Sequence, residues 1–191
     1  PALGAFVLSS NGLASGNDRD EALLHALCEV IERDAVALFE AAPDAMSARR
    51  VAPDSLPPGA AADALARCGR AGVTPLIWHI TSDIGVPAFY VTLVEGAQGA
   101  SRRLYPASGS GCHPDPGIAL MRAVTEAAQS RLTMIAGARD DLGRGTYRDA
   151  VDPGLSDRLR ALLAAPAPLA FADAGPPPSA DLTGAIDDIL A

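Results

Sequence analysis

Two sets of polar residues carry a spacing that could do chemistry. His25, Glu29 and Glu32 stand at i, i+4 and i+7. At ~100° per residue they fall within about 60° of one another on a helix. Arg33 lies beside them, and a polar loop ending at Asn17 precedes them. Further along, Arg122, Glu126 and Gln129 repeat the i, i+4, i+7 spacing. A carboxylate pair on one helix face suits Mg2+, which takes oxygen ligands and is commonly held by one or two carboxylates plus substrate phosphates. Arg122 suits a phosphate or a carboxylate. Asn17 and Gln129 suit nucleotide oxygens or ring nitrogens as donors and acceptors. The alternative for the first strip is a solvated helix face with an Arg33–Glu29 pair, since charged residues usually face water.

Both strips need helices to hold them. Asp18 and Glu21 have the Asp-x-x-Glu spacing of a capped helix start, and the spacing predicts a helix over about 19–40. Leu23, Leu27, Val30, Ile31, Ala35 and Leu38 recur near a 3.6 period and read as its buried stripe. Asp115 followed by Pro116 is an N-cap and N1 pair, which predicts a second helix from Pro116 to about Ala136. Around these, short strands are expected over 3–9, 74–81, 88–95 and 104–107, with 88–95 the strongest. Alanine-rich 60–71 reads as a small helix ending near Gly72, and 156–164 and 181–190 as further helices. The glycine- and serine-rich stretch Ser108–Pro116 reads as a loop, and 139–152 as an exposed one. The fold class expected is α/β in the broad sense (α+β): a mixed sheet packed against long helices.

Composition narrows the chemistry. With 191 residues and 49% hydrophobic content, one domain with a sizeable core is expected. The net charge of -8 argues against a nucleic-acid backbone or an anionic membrane as the main partner. All 15 basic residues are arginine, which removes a Walker-type lysine, a Schiff-base lysine and a lysine general base. Cys28, Cys68 and Cys112 form no Cys-x-x-Cys pair, so neither a disulfide framework nor a zinc site is expected. A reducing, cytoplasmic setting follows as the default. No apolar run is long enough to span a bilayer. Gly109-Ser110-Gly111 lacks the third glycine of a dinucleotide fingerprint and the Gly-Lys of a P-loop. Cys112-His113 and His79 read as structural rather than catalytic.

The residues then go beyond generic patterns. Ser10-Asn11-Gly12-Leu13-Ala14-Ser15-Gly16-Asn17, followed by Glu21-Ala22, His25-Ala26-Leu27 and Glu29-Val30-Ile31-Glu32-Arg33-Asp34-Ala35, resembles the central signature of the YcaO family. Gly109-Ser110-Gly111-Cys112-His113, Ala119-Leu120 and the run from Arg122 to Arg131 resemble its second signature, in the same order, with Asp83-Ile84-Gly85-Val86-Pro87 between. The resemblance runs from about Phe6 to Leu142. It implies one partial YcaO-like domain over 1–191, with a core over 6–142 and a peripheral segment over 143–191.

What the resemblance implies is ATP-dependent activation of peptide backbone amides. A nucleophile adds to the amide carbon, ATP phosphorylates the amide oxygen, and phosphate departs with that oxygen, giving azolines or thioamides in ribosomally made peptides or proteins. The cofactors implied are ATP and Mg2+. By position, Glu29, Glu32 and Glu126 match the family's metal residues. Asn17, Arg33, Arg122 and Gln129 match its nucleotide residues, while the resemblance singles out no catalytic nucleophile. The partners implied are a peptide or protein substrate, a substrate-presenting protein and a homodimer mate, with no nucleic acid and no membrane. The family's Gly-Lys-Gly segment and an earlier Glu-x-x-Glu-Arg helix are not among these residues. The chain therefore resembles an interior piece or a shortened member, and activity is expected of a full-length parent. The rival expectation is a non-catalytic scaffold or peptide-binding module that keeps the fold.

Overall fold

The computed structural model describes residues 9–95, 106–137, 153–175 and 181–190. Residues 3–8 of the strand expected at 3–9, and the loop expected at 139–152, lie outside the described residues. Among the described residues, five α-helices and three strands run in the order α1 (Arg19–Ala41), α2 (Ala60–Arg70), β1 (Val73–His79), β2 (Ala88–Glu95), β3 (Ala107–Cys112), α3 (Pro116–Ala136), α4 (Pro153–Ala164) and α5 (Leu182–Leu190). The class is α+β. The described strands pair antiparallel throughout, in the order β1-β2-β3, rather than as a mixed sheet. The link between β1 and β2 is a short turn, with Gly85 at φ +81°. Such a turn reverses the chain, whereas a parallel pair needs a long crossover.

Side chains alternate across this sheet as a pleat requires, and each face carries its own core. Leu76, Trp78, Ile80, Ala88, Val94 and Cys112 face α1, meeting Leu24, Cys28, Ile31, Ala35 and Phe39. Phe39, Trp78 and Tyr90 form an aromatic triangle with centroids 5.5–6.1 Å apart. Leu159 of α4 and Ala185 and Ile186 of α5 extend the same core. On the opposite face, Ile77, Phe89, Val91 and Leu93 meet Ala119, Leu120, Ala123, Val124 and Ala127 of α3, with Leu65 of α2 and Phe171 beyond. Buried Arg50 ties the C-terminal end of α4 to this frame, donating to the carbonyls of Leu162 and Ala165.

Two expectations change. The buried stripe of α1 is Leu24, Cys28, Ile31, Ala35 and Phe39, whereas Leu23, Val30 and Leu38 are exposed. The stripe is rotated because Cys28 and Phe39 belong to it and a leucine every third or fourth position does not. The stretch expected as a glycine loop, Ser108–Cys112, is an edge strand paired along its length with β2: Tyr90 opposes Ser110, and Ala88 opposes Cys112. Its glycines serve packing. A Cβ on Gly109 would lie 2.3 Å from the Ala127 backbone nitrogen, and one on Gly111 would lie 2.3 Å from the Ala119 carbonyl oxygen. With alanine opposite glycine, the backbones of α3 and β3 come into direct contact.

Candidate functional site

The two polar strips sit on helices that cover opposite faces of the sheet, yet they meet. They do so around the outer edge of β3, beside which no other described strand runs. An edge strand leaves alternate backbone groups without strand partners. Here side chains from both helices take that place. Ser110 N–H donates to Glu126 Oε2 of α3 at 3.3 Å, and Cys112 N–H donates to Glu32 Oε2 of α1 at 3.1 Å. Ser110 Oγ donates to Glu32 Oε1 at 2.8 Å, and Arg122 reaches the Cys112 carbonyl at 3.4 Å. A cavity of about 570 Å3 opens over this edge. It is lined by His25, Glu29, Glu32 and Arg33 from α1, by Ser110, and by Arg122, Thr125, Glu126 and Gln129 from α3, with Leu13 to Ser15 at its rim.

Six of the seven residues expected at a site therefore share one cavity. Asn17 stands apart. Its N–H and its side-chain amide both donate to Glu21 Oε2, at 2.7 and 2.8 Å, while Asp18 accepts from Glu21 N–H. The Asp-x-x-Glu start thus caps α1 and, through Glu21, also engages Asn17 one residue upstream of the cap. Arg33 approaches its neighbour Glu32 at 3.5 Å, not Glu29 one turn back. Glu32, expected on an open strip, is 6% exposed. It clasps α1 to β3 with both oxygens, each keeping a lone pair for a further partner. Ser110 is the residue the sequence reading missed. It touches both carboxylates, and its place inside a Gly-Ser-Gly run gave no sign of that.

The electrostatics follow from this crowding. Burial raises the Glu126 carboxyl above its ordinary value; the Ser110 N–H opposes the shift, and the nearby Glu32 charge adds to it. His113 is pushed down by burial and by Arg122, and its Nδ1 accepts from Asp115 N–H at 2.9 Å. His25, which lines the cavity from α1, has its Nδ1 3.3 Å from the Ser15 carbonyl. Beneath Glu32, the Cys112 thiol is raised by its hydrogen bond with Cys28 and by burial. That environment holds the thiol neutral and suits packing better than nucleophilic attack.

Among the described residues, no three His, Cys, Asp or Glu side chains stand close enough to form a metal cage. The donor set nevertheless fits Mg2+ in the form that ion favours with nucleotides, where one or two carboxylates share it with substrate phosphates and water. Glu29 and Glu126 can serve in that way from opposite walls, with Glu32 behind them. Arg33, Arg122 and Gln129 are placed to meet anionic and polar parts of the same ligand.

The sequence profile of the family described as YcaO cyclodehydratase, ATP- and Mg2+-binding, matches residues 1–191. An uncharacterized protein from the tfuA 3' region of Rhizobium leguminosarum bv. trifolii is 45% identical over 147 residues, covering 75% of this chain and 35% of that protein. A heterocyclase solved in complex with substrate and cofactor superposes with a TM-score of 0.69 at 25% identity, over 95% of this chain and 24% of that one. The YcaO protein of Methanopyrus kandleri, solved with AMPPCP and Mg2+, superposes with a TM-score of 0.63 at 23% identity, over 88% of this chain and 42% of that one. At that identity it shows the shared fold. The chain spans about a third of the length of the curated relatives it matches.

Proposed function

The chain belongs to the YcaO family, and we propose that it supplies the Mg-ATP-handling part of an enzyme that activates peptide backbone amides by O-phosphorylation. The observation that carries this reading is the meeting of the α1 and α3 strips in one cavity around the edge of β3. ATP would supply the phosphoryl group and Mg2+ the charge that offsets its phosphates. The chain's own residues do the rest. Glu29 and Glu126 would hold the metal across the cavity, with Glu32 fixing the strand edge between them. Arg33 and Arg122 would balance phosphate charge in place of a lysine, and Gln129 would contact the nucleotide. Asn17, engaged by Glu21, would position the Leu13–Ser15 rim rather than touch the nucleotide. No protein nucleophile is required, which agrees with a buried, neutral Cys112.

The substrate we propose is a ribosomally made peptide or protein. A side-chain or sulfide nucleophile would yield an azoline or a thioamide, and a further protein would present the peptide. Residues 1–191 would form one part of a YcaO domain, with 6–142 as its core and 143–191 joined to it through α4 and α5. Among the described residues, no helix is long and apolar enough to cross a membrane. The test is calorimetric titration of the chain with AMPPCP, with and without Mg2+, followed by peptide-dependent ATP turnover in the full-length parent. Metal-dependent AMPPCP binding that Arg122→Ala weakens is the expected result. AMPPCP binding that is absent from the full-length protein would instead favour a scaffold or peptide-binding module.

A further inference from the structure

A second cavity, of about 340 Å3, shares a wall with the first. Arg122 and Thr125 line both. The rest of the second cavity is mainly apolar, with Leu56 and Pro58 before α2, Ile118 and Met121 on α3, and Phe171, and its one acidic member is Asp115 at the start of α3. One side is the first turn of α2, Ala60–Ala62. The N-cap of that helix is Gly59, which offers no side chain to its N–H groups. The neighbouring start of α3 differs, because Asp115 Oδ1 accepts from both Gly117 and Ile118 N–H, at 2.7 and 3.1 Å. Thr125 Oγ1 already donates to the Met121 and Arg122 carbonyls, at 3.0 and 2.9 Å.

We propose that this cavity is a specificity subsite for the substrate peptide. It would take an apolar side chain of a residue flanking the amide to be activated, while the first turn of α2 donates to the peptide's own carbonyls. The inference rests on the reading of the first cavity as the site of phosphoryl transfer. An amide oxygen that receives a phosphoryl group there must lie at the mouth of that cavity, so a flanking side chain falls beside the shared Arg122–Thr125 wall. Three features select the occupant. The walls are mainly apolar, and Arg122, the one cation on them, is accompanied by the Asp115 carboxylate, so a polyanion is disfavoured. The first turn of α2 presents N–H donors that no side chain caps, and these match peptide carbonyls. The volume lies at the lower end of small-ligand cavities, roughly 300–1,000 Å3.

The probes are N-acetyl-leucinamide and N-acetyl-serinamide, added to the full-length protein with and without saturating Mg-AMPPCP. They are read by NMR at the Ile118 and Met121 methyls and the Ala61 and Ala62 amides. Leucinamide is expected to bind about tenfold more tightly than serinamide, because only its side chain gains from burial, and Mg-AMPPCP should not displace it. Ala61→Phe, which fills the cavity from the α2 side, should abolish leucinamide binding and leave AMPPCP affinity unchanged. Displacement by Mg-AMPPCP would overturn the proposal in favour of a nucleobase pocket. Equal binding of the two probes would overturn it, as would silence at all four reporters, the sign that the protein's own chain covers the cavity. Leucinamide binding with no AMPPCP binding anywhere would sink the phosphoryl-transfer reading, and the substrate assignment with it.

Discussion

The two helices that build the cavity are held against the sheet by opposite means. α1 stands off on large side chains, with Ile31 and Phe39 against Trp78 and Tyr90, and its polar strip is then fixed by one buried carboxylate, Glu32. α3 has almost no side chains in its seam with β3, where Ala119, Ala123 and Ala127 lie on Gly109 and Gly111. Packing through side chains can relax when one atom group is lost. Backbone contact has no such slack, because the nearest atoms belong to the helix itself. The residues that α3 contributes should therefore tolerate less change beneath them than those that α1 contributes.

The largest stability loss is expected on the α1 side. Phe39→Ala removes a buried ring from the aromatic triangle and should cost about 3–5 kcal/mol in denaturant unfolding. Phe39 lies nearly two turns beyond Glu32, so AMPPCP affinity per folded molecule should stay unchanged. Gly111→Ala comes next, at about 1–3 kcal/mol for overpacking. Its Cβ would press on the Ala119 carbonyl and the Ala123 nitrogen, so α3 must shift as a body. AMPPCP binding should then be lost even in the folded fraction. If Gly111→Ala binds normally while Phe39→Ala does not, the contrast between the helices is wrong.

These experiments also mark what the sequence could and could not tell. The starts of α1 and α3 were legible because caps are local: Asp18 and Asp115 act within three residues. The polar strips were legible because helical period alone groups Glu29 with Glu32 and Arg122 with Glu126. β3 was not, since Ser-Gly-Ser-Gly has no strand propensity, and its extended form comes from pairing with β2 and contact with α3. The burial of Glu32 was equally hidden, because its partners Ser110 and Cys112 lie 78 and 80 residues away. The hydrophobic stripe of α1 differs in phase from the expected one because Cys28 and Phe39, not Leu23, Val30 and Leu38, complete the buried face.

Glu32→Gln tests the clasp on the α1 side. The carboxylate accepts at both oxygens, from Ser110 Oγ and Cys112 N–H. An amide keeps one acceptor and turns an NH2 toward the other donor. The expected cost is about 1–3 kcal/mol, the penalty for a buried polar group left without its partner. Adding Ser110→Ala should recover part of it, because the conflict can then be relieved on the hydroxyl side. A double-mutant cycle on unfolding free energies measures the coupling. Full additivity would mean that Glu32 and Ser110 do not act as one unit.

The smallest effect on stability is expected at Glu126, on the α3 side, and its sign is set by pH. Burial holds the folded-state pKa of Glu126 above its unfolded value, so between the two values the folded chain binds more protons than the unfolded one. Stability from this group is then fully present below the unfolded pKa and declines as pH rises through the folded one. In the folded state the carboxylate is half-buried and, when charged, is set beside the Glu32 charge. Glu126→Gln removes that repulsion while its amide oxygen can still accept from Ser110 N–H. The variant should be as stable as the parent at pH 7 or slightly more so, and its unfolding free energy should lack the rise that the parent shows on mild acidification. The same substitution removes a charge proposed to hold Mg2+, so metal-dependent AMPPCP binding should weaken while metal-free binding does not. Paired urea titrations at pH 7 and just above the ordinary carboxylate range, with calorimetry on the same samples, separate the two roles. A variant that loses stability at pH 7 would show Glu126 to be a structural anchor of α3 on β3, like Glu32 on the other helix, and would remove it from the metal site.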